Sequence, residues 1–171
     1  MTNPKGCCPK EGEVKKISAV IISRAEEERI KECLNSLRGL ADEIVIVLDS
    51  KKRGNVFFEA KKRGAKIFYR SFDNYSSQKN FAISKAKGEW ILSLDADEVV
   101  PPRLKSEIKK VVKDLAYNGY YLPRENIIFG KKIKHAGWYP DYQLRLFVKG
   151  YGEFSGLIHE RVKVKGSVGY L

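Results

Sequence analysis

The chain has 171 residues, 33 basic and 21 acidic, for a formal charge of +12. That length suits one domain with its own core and requires neither disulfides nor a structural metal; a hydrophobic share of 43 % excludes bulk disorder. No apolar run reaches the roughly 18–20 residues of a membrane span, and residues 1–16 lack the apolar core of a secretory signal and read as a flexible tail. From there the pattern alternates. Ile17–Ile22 is a β-branched run expected as a buried strand, and Ala25–Leu40 places Ile30, Cys33, Leu34 and Leu37 at helical spacing, with Ser23 as cap and Glu26 three residues on. Strands are expected at Glu43–Leu48, Ala65–Tyr69 and Trp90–Leu94. Helices are expected at Val56–Arg63, at Tyr75–Lys87 closed by Gly88, and from Pro101-Pro102 to about Leu115.

Strand–helix alternation implies crossover units and a mostly parallel sheet flanked by helices, an α/β fold of doubly wound type. In such sheets ligands bind outside the carboxyl ends of the strands. Three of these strands end in polar residues: Ser23-Arg24, Asp49-Ser50 and Asp95-Ala96-Asp97. After Leu115 the pattern changes to short strands at Gly119–Pro123, Ile127–Ile133, Gln143–Val148 and Arg161–Val168, separated by Gly and Asp turns. We therefore expect residues 17–115 to form a nucleotide-binding half and residues 116–171 a mixed second half of the same domain.

Charge is uneven. Residues 1–100 carry 19 basic and 15 acidic side chains, and residues 101–171 carry 14 and 6, so the second part holds +8 of the total. It is the expected face for an anionic partner, whether phosphate, acidic glycan, membrane surface or nucleic acid. No nucleic-acid-binding motif accompanies that charge, so a nucleic acid is not expected. Cys7, Cys8 and Cys33 form no disulfide framework and lack zinc-site spacing, which points to free thiols in a reducing cytosol.

The sharpest chemical signal is Trp90-Ile-Leu-Ser-Leu-Asp95-Ala-Asp97-Glu98. Two carboxylates flank one residue where an apolar strand meets a loop. In extended chain they point to opposite sides, so the backbone must turn for both to serve one ion. Hard oxygen ligands suit Mg²⁺ or Mn²⁺, which share substrate phosphate oxygens. The same string also opens haloacid-dehalogenase-type phosphatases, which need a later acidic pair; downstream of Glu98 only Asp114 and Asp141 remain as aspartates, and they are not paired.

The set Ile17–Ser23, Glu26-Glu27, Ala41–Val47, Asp49-Ser50, Gln78-Lys-Asn80, Gly88–Glu98, Gly137–Phe147 and His159-Glu160 resembles, in order and spacing, the family 2 glycosyltransferases, with a closer likeness to bacterial lipopolysaccharide-core transferases. The resemblance spans residues 17–170. It implies a GT-A fold and transfer of a sugar from a nucleotide donor, with inversion, to a hydroxyl of a cell-envelope glycan. It also implies Asp97 and Asp95 at a Mg²⁺ or Mn²⁺ ion, with His159 near it. Donor contacts would come from Ser23, Glu26, Asp49, Gln78, Asn80, Asp95 and Arg145, the donor being a UDP-sugar. Asp141 would be the catalytic base, its proton affinity raised by partial burial among aromatics. Trp138 and Tyr139 could stack on a sugar face, and Arg161 could hold phosphate. The acceptor would be an anionic glycan or glycolipid, reached from the cytoplasm with peripheral association at the inner face of the membrane.

Three departures qualify the resemblance. Ala25 stands where the family has Asn before its Glu. Lys51-Lys52-Arg53-Gly54 follows Asp49-Ser50 in place of small residues and another Asp. The chain also ends in a strand-like segment where relatives continue, so it reads as a shortened form or a minimal enzyme. A non-catalytic nucleotide-sugar-binding module of the same fold is the competing reading.

Overall fold

The computed structural model describes residues 15–114, 116–128, 131–132, 141–156 and 160–171. Among these residues eleven strands and four helices follow in the order β1 Ile17–Ser23, α1 Ile30–Ser36, β2 Glu43–Leu48, α2 Asn55–Lys62, β3 Lys66–Tyr69, α3 Tyr75–Lys85, β4 Trp90–Asp95, α4 Pro102–Val111, β5 Gly119–Arg124, β6 Ile127–Ile128, β7 Lys131–Lys132, β8 Asp141–Val148, β9 Gly152–Ser155, β10 Arg161–Val164 and β11 Val168–Tyr170. Seven strands make one sheet in the order β11-β5-β8-β4-β1-β2-β3, and β9–β10 and β6–β7 form two small antiparallel pairs. Strands β4, β1, β2 and β3 run parallel, β8 is antiparallel to both β4 and β5, and β11 is parallel to β5. The expected parallel α/β half and mixed second half are thus one continuous sheet.

Strand alternation explains the layers. Ile17, Ala19 and Ile21 face the side that packs with Ile30, Leu34 and Leu37 of the α1 region, Val56 and Ala60 of α2, and Ile108 of α4. Val20, Val45 and Val47 face the other side, against Ala82 and Ile83 of α3 and Phe154 of β9. Both faces of β1, β2 and β4 are covered, which is why these strands read as apolar runs. The chain lays down β1, β2 and β3 outward in one direction, then α3 carries it back to the far side of β1 for β4. Neighbours β1 and β4 are therefore the point where strand order reverses, the place where open sheets of this kind bind ligands.

Several expected boundaries differ. Helix α1 starts at Ile30, with Arg29 as cap residue and no side-chain cap bond. Ser23 ends β1 and does not cap a helix. The Glu26 carboxylate instead accepts from the Asn55 backbone N–H at 3.0 Å, tying the first loop to the start of α2. Helix α3 ends at Lys85 with an extended Ala86, so Gly88 is not its terminator. Gly88 is needed for close approach: a Cβ there would sit 2.7 Å from the Lys16 carbonyl oxygen. Helix α4 stops at Val111 and Leu115 lies outside the described residues. Strand β8 begins at Asp141, two residues before the expected start. The run expected over Arg161–Val168 is two strands in different sheets, and β9 was not anticipated. Within Ile127–Ile133 the described residues form the short pair β6–β7. The tail, apart from Lys15 and Lys16, lies outside the described residues.

Candidate functional site

Asp95 is the last residue of β4, and the chain turns immediately after it. The Asp95 N–H donates to the Glu98 carboxylate at 2.9 Å, and the Glu98 N–H donates back to the Asp95 carbonyl at 3.0 Å. This closed turn supplies the bend that two carboxylates so spaced require, and it leaves Asp97 exposed at its tip. Asp97 makes no ion pair to another described residue, whereas Asp95 is doubly held. Its Oδ1 lies 3.0 Å from Lys79 Nζ, and its Oδ2 accepts from Arg145 Nη2 at 2.7 Å. The same Arg145 nitrogen donates to Glu98 Oε1 at 2.7 Å, and Lys79 also reaches Glu160 at 2.9 Å.

The electrostatics follow from this arrangement. Burial pushes the Asp95 pKa up, but the Arg145 and Lys79 charges outweigh it and hold the carboxyl down at about 2. Glu98 goes the other way. Burial and the nearby Asp95 charge raise its pKa despite Arg145. Beneath the turn, burial together with the Glu98, Asp97 and Asp95 charges pushes the Cys33 thiol up to about 12, so it is an inert core group. Arg145, expected to meet phosphate, is committed to Asp95 and Glu98, with only 8 % of its surface exposed. Asp95 was expected to face an ion beside Asp97, but both its oxygens already accept from cations. Among the described residues no group of three or more His, Cys, Asp or Glu could hold a metal alone. Mg²⁺ and Mn²⁺ do not require one: one or two carboxylates with water and substrate phosphate suffice. Asp97, open on the turn, fits that requirement.

Asp141 starts β8 opposite Arg124, the last residue of β5. Arg124 Nε donates to its Oδ2 at 2.9 Å, and Gln143 Nε2 donates to Oδ1 at 2.6 Å. Burial raises the Asp141 pKa, as expected, but the Gln143 and Arg124 bonds outweigh it and the net shift is downward. That reverses the expectation. Asp141 is a well-partnered carboxylate whose proton affinity its two partners lower rather than raise.

The remaining expected residues are dispersed. Asp49 is half-buried just past β2. Ser23 has a buried hydroxyl oxygen without a hydrogen-bond partner among the described residues. Glu26 is exposed and lies 3.7 Å from Lys52, while Arg53 sits over the Phe57 ring at 5.2 Å. Gln78 and Asn80 are hydrogen-bonded within the protein. Gln78 accepts from Arg70 Nη1 at 2.9 Å and donates to the Arg70 carbonyl at 3.0 Å. Asn80 makes two 2.9 Å bonds to the Phe154 backbone, one in each direction. Both residues hold α3 to its neighbours. Arg161 is exposed on β10. His159, Trp138 and Tyr139 lie outside the described residues. A cleft of about 920 Å³ brings together Asp95, Asp97, Arg145, Arg124, Tyr142 and Gln143, with an apolar wall that includes Leu122 and Val100. Asp49, Ser23 and Glu26 lie outside its lining.

Two residues that matter here were missed. Lys79 lies between Gln78 and Asn80, and its position on the face of Ala82, Ile83 and Ala86 marks it as buried on an amphipathic reading of α3. Arg124 is a cross-strand partner whose register no sequence pattern gives.

A family model described as Glycosyl transferase family 2 matches residues 18–160. An uncharacterized glycosyltransferase of Rickettsia typhi is 31 % identical over 149 residues, covering 85 % of this chain and 51 % of its own length. One from Rickettsia bellii is 39 % identical over 97 residues, 57 % of this chain and 33 % of the relative. The chain thus spans about a third to a half of the length of these curated relatives. Among solved structures, residues 1–349 of TarS from S. aureus in complex with UDP-GlcNAc superpose with a TM-score of 0.53 at 18 % identity, covering 70 % of this chain and 37 % of that one. The mannosyltransferase PcManGT from Pyrobaculum calidifontis, in complex with GDP-Man and Mn2+, gives a TM-score of 0.52 at 16 % identity, covering 72 % and 39 %. At such identities the structural likeness speaks for the GT-A fold alone.

Proposed function

Because the chain belongs to glycosyl transferase family 2, we propose that it transfers a sugar, with inversion, from a nucleotide-sugar donor to a glycan hydroxyl. The single observation that carries this reading is the closed turn at the end of β4, which presents the open Asp97 at the β1/β4 switch point beside the cation-held Asp95. A UDP-sugar is the proposed donor, in keeping with the UDP-GlcNAc bound by TarS. Asp49, past the end of β2, would contact its base. Asp97 would hold Mg²⁺ or Mn²⁺, and such an ion, when bound, neutralises the diphosphate leaving group as a Lewis acid. Asp95, fixed by Lys79 and Arg145, would orient the donor.

Asp141 would accept the proton of the attacking hydroxyl. Gln143 and Arg124 hold its carboxylate in place at the start of β8. The acceptor is proposed to be an anionic glycan or glycolipid of lipopolysaccharide-core type, because residues 101–171 carry 14 basic and 6 acidic side chains. Cytoplasmic work at the inner membrane face is proposed on the same charge. Among the described residues no helix is long and apolar enough to cross a membrane.

The test is a thermal-shift screen of UDP-, GDP-, CMP- and dTDP-sugars with and without Mn²⁺, followed by turnover on an acceptor panel. A UDP-sugar is expected to raise Tm only when the ion is present, and Asp97→Asn to remove most of the rise. No metal-dependent shift with any donor would sink the donor and metal assignments. Binding without turnover on any acceptor would favour a non-catalytic nucleotide-sugar-binding module.

A further inference from the structure

Lys79 is the most buried ammonium group near the crevice, 3 % exposed. It projects from α3 between two carboxylates that come from distant parts of the chain, Asp95 at 3.0 Å and Glu160 at 2.9 Å. Its Nζ also lies 5.2 Å from the Phe154 ring centroid. A buried ammonium is costly unless its charge is used. Here the use is visible in the surroundings. Asp95 and Glu160 share Lys79, Asp95 and Glu98 share Arg145, and Asp97 stands two residues beyond Asp95 on the same turn. These six side chains sum to a formal charge of −2, which one divalent cation offsets.

We propose that Lys79 is a positioning residue that fixes Asp95 against Glu160 and holds the carboxylate cluster at the charge a single divalent ion balances. The inference rests on the metal reading of Asp97 above. It goes beyond that reading by assigning the affinity for the ion to a residue that does not touch it. Without Lys79 the cluster would gain one uncompensated negative charge. The ion would then bind more tightly, while Asp95 would lose the contact that sets its orientation. Tighter metal binding with poorer turnover is the signature, and a lysine needed only for packing would not produce it.

The test is calorimetric titration of Mn²⁺ alone into the full chain, for the wild type, Lys79→Arg, Lys79→Met, Glu160→Gln and the Lys79→Met/Glu160→Gln double variant, each first shown to be folded by circular dichroism. Lys79→Met is expected to bind Mn²⁺ about three- to tenfold more tightly, and Glu160→Gln more weakly by about the same factor. The double variant restores the charge and is expected within about twofold of wild type, as is Lys79→Arg. Transfer by Lys79→Met should fall in kcat even with the ion saturating. If Lys79→Met does not fold, Glu160→Gln and the double variant carry the comparison. Unchanged or weaker Mn²⁺ binding by folded Lys79→Met, or by the double variant no recovery toward wild type, overturns the proposal. A wild-type chain that binds no Mn²⁺ removes the metal reading and this inference together, whereas normal wild-type binding with an indifferent Lys79 removes this inference alone.

Discussion

Asp95 and Asp97 stand two residues apart and sit in opposite electrostatic settings, so their substitutions should separate. Asp97 is exposed and without an ion pair among the described residues. Asp97→Asn is expected to leave unfolding in urea within about 0.5 kcal/mol of wild type while abolishing the metal-dependent Tm rise. Asp95→Asn removes the shared anion from two buried cations. It should destabilise by about 2 kcal/mol, below the cost of breaking a fully buried pair because the Asp95 side chain is 38 % exposed. Asp141 gives a pH prediction. Arg124 helps to hold its pKa down, so Arg124→Ala should let it rise and move the acid limb of the rate profile to higher pH. Asp141→Asn should abolish transfer with donor binding intact, and a joint loss of both would make Asp141 a binding or structural residue. The Asp95-Ala-Asp97-Glu98 string was legible as a strand-end acidic turn because apolar runs and carboxylates are local signals. Which Asp is free was not legible, since Lys79 lies 16 residues upstream and Arg145 lies 50 downstream of Asp95. Likewise the Asp141 shift depends on a β5 partner that only strand register supplies.

At the scale of elements, α3 is where the reading of the sequence and the fold part most. Its amides are expected as donor ligands because the family resemblance places them on the helix before β4 that borders the diphosphate. The structure spends them on holding the helix in place: Gln78 grips the chain after β3, and Asn80 pairs with the backbone of β9 as another strand would. Asn80→Ala should therefore leave a backbone donor and acceptor at Phe154 unpaired and cost about 2 kcal/mol, read from urea unfolding. Metal-dependent donor binding per folded molecule should be unchanged. Gly54, at the start of α2, offers a second check. A Cβ there would lie 2.2 Å from the Ala25 carbonyl oxygen. Gly54→Ala must push apart the first loop and α2, and should lower Tm while displacing Glu26. The parallel strands were read nearly to the residue because burial on both faces writes them as continuous apolar runs. The helix ends were overextended because periodicity persists past the last hydrogen-bonded turn. Strand β9, with Phe154 as its one buried apolar residue, offers too short a pattern to recognise.

For the whole molecule, the pH dependence of stability follows from groups whose folded pKa is shifted. Asp95 and Glu43 are both depressed to about 2, Asp95 by Arg145 and Lys79 against its burial, and Glu43 by Lys66, Ser18 and the Lys87 N–H against its burial. In acid the unfolded chain binds more protons at these two sites, so their stabilisation is full above their ordinary range near 4 and is lost as pH falls toward about 2. Glu98, shifted upward, contributes in the opposite sense and is worth most at low pH. The expected result is a urea midpoint that falls between pH 5 and pH 2, with Glu98 offsetting part of what Asp95 and Glu43 contribute. The return of the chain across β1 before it lays down β4 has a consequence for time as well as place. The β1–β4 pairing joins Ile17 to Trp90, so the crevice closes only after a long loop has been ordered. No early fragment made of β1, β2 and β3 can own the site. Because β4, α4, β5 and β8 all line it and must be in place at once, opening the crevice amounts to opening the sheet, and a bound donor should slow global unfolding rather than quiet one loop.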